Sequence, residues 1–353
     1  MTQPMMSGSI LYAPNVHTGG GLVLLRNLLG AWPDKGHRTA FLDARARAQL
    51  NVPAGVRTHW VCPTIASRLN GECKLRAASE PGDLLLCFHG LPPLLPNRAR
   101  VVVFLQNRNL LGLDPLSAFS ARTGLRLALE RFLSARARHR VAEYLVQTPT
   151  MARQLSTWYG RGCPPVRVLP FADHFPAPPN DLPATWDFVF VADGEAMKNH
   201  GRLLQAWQLL AEQGFRPSLA LTLGSRDSAL LARIDEMRVR FALNVVNLGH
   251  LPRDDVLKLY LQARALIFPS TSESFGLPLI EAGRLNLPIV ASELDFVRDV
   301  CAPVQTFDPL SAVSIARAVK RFLGAQEALV NVGDAAAFWT ALKTGDLAAR
   351  AAH

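Results

Sequence analysis

The apolar residues of this 353-residue chain fall into short β-branched runs separated by helix-length stretches, and the alternation occurs twice. Such an order leads to parallel sheets covered by helices, because parallel neighbours need a long crossover that a helix can fill. In the first half strands are predicted over 9–13, 39–42, 83–88, 100–105, 144–147 and 167–169, with helices over 22–32, 116–139 and 150–159. The pattern then breaks. Pro170, Pro176, Pro178, Pro179 and Pro183 crowd one stretch with little periodicity, which suits an extended linker. The second half resumes with strands over 188–192, 218–224, 245–248, 265–269 and 289–291, and helices over 200–213, 228–241, 253–263, 278–285 and 310–323. A last alanine-rich stretch, 334–352, reads as helix. The expected fold class is α/β: two doubly wound, Rossmann-like domains, 1–170 and 184–325, joined by a hinge over 171–183. Their strand ends face each other across a cleft, where ligands of such sheets bind.

Composition excludes several classes of function. With 49% hydrophobic and 19% charged residues the chain can fill two cores and is not a disordered tail. It has no run of 18 apolar residues, so no membrane span is expected. Residues 1–8 carry no Lys or Arg, which speaks against a secretory leader and for a cytoplasmic protein. The five cysteines are scattered without metal-ligand spacing, so neither a zinc site nor a disulfide frame is expected. The net charge of +10 admits nucleic acid, an anionic membrane or phosphorylated substrates. No nucleic-acid reading motif is present, which removes the first.

The most informative segment is 268–282, Phe-Pro-Ser-Thr-Ser-Glu-Ser-Phe-Gly-Leu-Pro-Leu-Ile-Glu-Ala. A strand ends, a polar loop follows, and a helix opens near Pro278, where a missing N–H costs nothing. The amides of Phe275, Gly276 and Leu277 would stand at the helix mouth, an anion site suited to a diphosphate. Glu273 in the loop can accept hydrogen bonds from sugar hydroxyls. Glu281, one turn into the helix, can accept two from a ribose.

This segment resembles the signature of family 4 of the GT-B glycosyltransferases, two glutamates with seven residues between them. The resemblance implies that Glu273 contacts the donor sugar, that the backbone of Phe275 to Leu277 holds the phosphates, and that Glu281 holds the ribose. It extends to Gly249, His250 and Leu251, which resemble the family's base-binding turn, and to Lys198 and Asn199 before the helix at 200–213. Lys198 would neutralise the leaving diphosphate. Where the family commonly carries an arginine five or six residues before that lysine, this chain has Ala192, Asp193 and Gly194. The resemblance also implies that the first domain binds the acceptor and that the tail, 326–353, returns to it.

In the first half, the turn containing Gly20 and Gly21 lets backbone approach a phosphate or an acceptor closely. The third glycine of a dinucleotide fingerprint is missing, since Leu24 stands there. Gln106, Asn107 and Arg108 occupy the loop where relatives place a histidine, and His89 from the neighbouring strand is expected to replace it as a catalytic group beside Glu273 and Lys198. The stretch 122–140 holds Arg122, Arg126, Arg131, Arg136, Arg138 and Arg140, with Leu125, Leu129, Phe132 and Leu133 on one helical face. It is either an ordinary solvated face or a contact with an anionic membrane near a lipid-linked acceptor.

The expected function is a retaining transfer of a hexose-type sugar from a nucleotide-diphosphate sugar to a saccharide or lipid-linked acceptor, in bacterial envelope polysaccharide or lipopolysaccharide synthesis. Neither a cofactor nor an obligatory metal is expected. A GT-B nucleotide-sugar epimerase and a catalytically idle sugar-nucleotide-binding protein are the alternatives.

Overall fold

The computed structural model describes residues 8–34, 36–113, 115–172, 183–325 and 334–336. The expected hinge over 171–183 lies outside the described residues apart from Phe171, Ala172 and Pro183, as does the tail over 326–353 apart from 334–336.

The first sheet contains β1 (Gly8–Ala13), β2 (His37–Asp43), β3 (Val56–Val61), β4 (Leu84–Cys87), β5 (Arg100–Phe104), β6 (Glu143–Val146) and β7 (Val166–Val168). Their order is β3-β2-β1-β4-β5-β6-β7, every neighbouring pair parallel. Helices α1 (Gly19–Gly30), α2 (Ile65–Ala78), α3 (Ala121–Ala137) and α4 (Pro149–Tyr159) cross between them. Both faces of the sheet are covered: α1 packs Leu25 and Leu29 with Leu42 and Phe88 on one side. On the other, Leu75, Leu127 and Leu155 of the remaining helices pack with Ile10, Val101 and Tyr144.

The second sheet contains β8 (Trp186–Phe190), β9 (Leu219–Leu221), β10 (Val245–Asn247), β11 (Ala263–Phe268), β12 (Ile289–Ser292) and β13 (Gln305–Phe307), in the order β10-β9-β8-β11-β12-β13. It too is wholly parallel. Helices α5 (His200–Glu212), α6 (Ser228–Phe241), α7 (Arg253–Leu261), α8 (Leu277–Arg284), α9 (Asp295–Arg298) and α10 (Ala312–Phe322) surround it. One continuous core joins Phe188, Trp207, Leu266 and Val319.

In each sheet the chain starts in the middle and winds outward both ways. The reversal falls between β1 and β4 in the first and between β8 and β11 in the second. Loops diverge at such a point and leave a crevice. It is there that the turn after β1 and the loops after β8 and β11 emerge.

Four elements were not foreseen. Edge strand β3, Val-Arg-Thr-His-Trp-Val, is mostly half-buried, and its polar residues dilute the alternation. Helix α2 buries only Gly71, Glu72 and Leu75, too few for an apolar stripe. Its Glu72 is buried because Tyr12 Oη (2.8 Å) and the amides of Leu94 and Leu95 (3.0 and 3.2 Å) donate to it. Strand β13 has three residues and α9 four. Helix α3 begins five residues later than expected because Ser120 caps it, accepting from the Thr123 amide.

Candidate functional site

A cavity of about 1010 Å³ opens between the two sheets. The first half contributes the turn at Thr18–Leu22, Gln106 and Asn107. The second contributes the loops after β8, β9, β10 and β11. Backbone and side-chain contacts tie the halves around it. The Arg108 amide donates to Ser274 Oγ at 3.2 Å, and its guanidinium to Ser272 Oγ. The Thr150 amide donates to Asp299 Oδ2 at 2.8 Å, and Arg153 pairs with Asp295 at 3.1 Å. Leu277 packs into the first half's core, and a Cβ on Gly20 would lie 2.9 Å from its Cδ1. Gln106 Oε1 closes the same turn at 3.6 Å from the place of a Gly21 Cβ.

Lys198 and Glu273 come from opposite sides of the β8–β11 crevice and meet, Nζ to Oε1, at 2.7 Å. The loops that carry them are stitched together, since the Thr271 amide donates to Met197 O at 2.9 Å. Below them Gly276 takes a left-handed conformation (φ 77°) that a side chain would strain, and α8 starts at the next residue with Pro278 in its first turn. The amides of Leu279 (2.9 Å) and Ile280 (3.4 Å) bond back to Gly276 O, so those of Phe275 to Leu277 stand at the helix mouth, on the cavity wall. Glu281 lines the same wall although it is nearly buried. Arg253 donates to one of its oxygens at 2.8 Å and Tyr260 to the other at 3.1 Å. Burial, with the Glu281 charge, pushes the Tyr260 phenol well up, so it stays a donor. His250 and Leu251 line the cavity beside Arg253.

Glu273, Lys198, Glu281, Phe275, Gly276, Leu277, His250, Leu251, Gly20, Gly21, Gln106 and Asn107 are therefore gathered on one cavity. The remaining candidates stand elsewhere. Asn199 (φ 64°) is a tie between loops, its amide donating to Pro269 O at 3.1 Å and Pro309 O at 2.8 Å. Gly249 (φ 79°) supplies the turn that presents His250 and does not itself line the cavity. Arg108 bridges the halves, as described. His89 is turned inward rather than to the cleft: Nδ1 sits 3.3 Å from Tyr12 O and the ring packs edge-on against Tyr12. Burial pushes its pKa down to about 4, so it is neutral. The arginine-rich stretch divides as well. Arg138 folds over the Tyr159 ring and Arg140 donates to Leu94 O.

Sequence reasoning missed Arg226, Arg253 and Tyr260. The last two follow the base-turn motif within ten residues. Their signal was positional, a basic residue opening α7 and a tyrosine two turns later on one side of that helix.

Two facing Rossmann-like sheets, with charged loops at the switch point of one and a glycine turn at that of the other, define the GT-B glycosyltransferase fold. The solved structure of Anabaena Alr3699/HepE in complex with UDP has the same architecture, at a TM-score of 0.66 and 16% identity over 90% of each chain. Residues 179–339 match the family of glycosyl transferases group 1. The chain is similar to the serotype-specific mannosyltransferase WbdA of Escherichia coli, 29% identical over 149 residues, 41% of this chain and 18% of that protein. It is also similar to the O-antigen chain mannosyltransferase B of Escherichia coli, 34% identical over 119 residues, 32% of this chain and 30% of that protein. The chain thus spans less than a third of the length of either relative.

Proposed function

We propose that the protein is a retaining glycosyltransferase, moving a hexose-type sugar from a nucleoside-diphosphate sugar to a saccharide or lipid-linked acceptor of bacterial envelope polysaccharide. The observation that carries this is the spacing of groups along one wall: an acid–base pair, a helix mouth and a buried acid. The Lys198–Glu273 pair stands where the reacting end of a donor would lie, the amides of Phe275 to Leu277 where its diphosphate would, and Glu281 where its ribose would. Residues 184–325 hold the donor on this reading, and residues 1–170 receive the acceptor.

The chemistry asked of the chain is positioning and charge stabilisation. The bond from the anomeric carbon to the phosphate oxygen breaks as the acceptor oxygen bonds to the same face of that carbon. The acceptor proton passes to the departing phosphate oxygen. Lys198 offsets the charge that develops there, Glu273 orients sugar hydroxyls, and no obligatory metal is required. The relatives' mannosyltransferase names and the UDP bound to the structural neighbour support trying GDP- and UDP-sugars alike.

A thermal-shift panel of UDP-, GDP- and ADP-sugars on wild type and Glu281→Gln tests the reading. Glutamine keeps an acceptor for Tyr260, so the fold is preserved while the charge is removed. One donor class should stabilise wild type, and the variant should lose most of that shift. Stabilisation by no donor, or equally in both proteins, overturns the assignment.

A lipid-linked acceptor would bring the first domain to an anionic membrane at its cytoplasmic face. Helix α3 supports this. It buries Gly124, Leu127, Ser134 and Ala137 and turns outward Leu125 (75% exposed), Leu129 (57%) and Phe132 (65%), among Arg122, Arg126 and Arg136. Glu130 is half-buried beside Arg126, leaving basic and apolar residues outermost. That is the composition of a helix lying in a lipid interface. Among the described residues no helix is long and apolar enough to cross a membrane. Co-sedimentation with phosphatidylglycerol vesicles should be lost in Leu125→Glu/Phe132→Glu and absent with phosphatidylcholine. Unchanged sedimentation of the double variant would overturn the contact.

A further inference from the structure

The loop after β8 has Asp193 in the stretch where the resembled family commonly carries an arginine, which leaves a bound diphosphate one guanidinium short. The second half brings Lys198, Arg226 and Arg253 to the cavity. Each faces an acid, but not equally. Lys198–Glu273 (2.7 Å) and Arg253–Glu281 (2.8 Å) are short and mostly shielded, no side chain in them above 23% exposure. Arg226–Asp193 is longer, 3.4 Å, and its side chains are 68% and 35% exposed. A long, hydrated pair stabilises little. A phosphate oxygen can take the guanidinium from Asp193 without stripping a buried partner.

Topology places Arg226 for this. Strands β9, β8 and β11 are neighbours, so the loops bearing Arg226, Lys198 and Glu273 follow one another along the crevice. The first two loops are pressed together: a Cβ on Gly194 would lie 2.6 Å from Asp227 Oδ1. The missing side chain at 194 lets the segment 225–227 come up against the lysine loop. The guanidinium's planar fork matches two phosphate oxygens, which the single ammonium of Lys198 cannot do.

We propose that Arg226 grips the donor diphosphate and that Asp193 holds its guanidinium at the cavity mouth until the donor arrives, an assignment that rests on the donor reading above. Arg226 is then a binding residue supplied by a different strand from the usual one, and Asp193 is its positioning residue.

Calorimetry with UDP, GDP and ADP, and with the matching nucleosides, tests this on the full chain; the diphosphate that wild type binds most tightly is the probe. Loss of a charge-assisted contact should weaken that diphosphate about ten- to a hundredfold in Arg226→Ala and leave the nucleoside affinity unchanged. Arg226→Ala/Asp193→Arg, which returns a guanidinium to the usual stretch, should regain most of the loss. Equal diphosphate binding by Arg226→Ala and wild type overturns the assignment of Arg226 alone. So does a parallel loss of nucleoside binding, or a double variant no better than the single one. Wild type binding none of the three diphosphates removes the donor reading itself, and this inference with it.

Discussion

The two sheets have the same winding but carry unequal chemistry at their switch points. Between β8 and β11 stand a lysine and a glutamate paired at 2.7 Å on loops stitched together by backbone, with a helix mouth just beyond them. Between β1 and β4 stand a glycine turn and a histidine folded away against Tyr12. A diphosphate and a ribose demand particular charges at particular spacings, so a wall that holds them is constrained residue by residue. On the reading proposed above the opposite wall answers to the acceptor, and its glycine turn is shaped by Leu277 as well.

The largest test of this inequality is a pair of substitutions, one per switch point. Lys198→Ala should lower kcat by about a hundred- to a thousandfold, the scale for removing one preorganised electrostatic contact. His89→Gln should leave kcat within about threefold. Steady-state transfer assays on both variants break the comparison if the losses are similar.

Acid stability sharpens it next. Among the described residues, His89 packs half-buried on Tyr12, and His200 is buried against Phe190 with neither of its ring nitrogens hydrogen-bonded. Burial pushes both down to about 4 from an ordinary 6.5. As pH falls through 6.5 the unfolded chain takes up these protons while the folded one does not, so stability falls until about pH 4 and then levels. Each shift corresponds to roughly 3 kcal/mol. His200→Phe should therefore flatten the acid limb of a denaturation series between pH 6.5 and 4. An unchanged limb would show that His200 is not desolvated as the structure has it.

The smallest effect is expected at Gly20→Ala, whose new methyl meets the flexible end of Leu277. Moving that side chain should cost about 1 kcal/mol, seen as a few-fold loss in kcat/KM that Leu277→Ala restores. No rescue would mean that Gly20 serves the ligand rather than the neighbouring half.

Much of this was legible in the sequence. The alternation of apolar runs sets the two-sheet fold, and the glutamate spacing around Gly276 and Pro278 survives translation into structure because strand, loop and helix mouth are contiguous. Contiguity is what the rest lacks. Arg226 reaches the crevice only because β9 lies beside β8, and Arg253 meets Glu281 across 28 residues. His89 looked like a cleft residue because it follows a strand, but burial against Tyr12 decided otherwise. Strand β3 escaped notice because an edge needs no continuous apolar face. The outward turn of Leu125, Leu129 and Phe132 reverses the usual inference from an apolar helical face, since the small residues Gly124, Ser134 and Ala137 take the inside instead.

Leu277 has one further consequence. Its amide belongs to the mouth of α8 while its side chain rests on the turn at Gly20, so a single residue answers to two lobes. If a ligand at the helix mouth shifts that side chain, reciprocity requires that occupancy of the turn alters binding at the mouth by the same factor. On the reading proposed above, donor and acceptor sides share this one leucine, so a substitution at Leu277 should be felt at both.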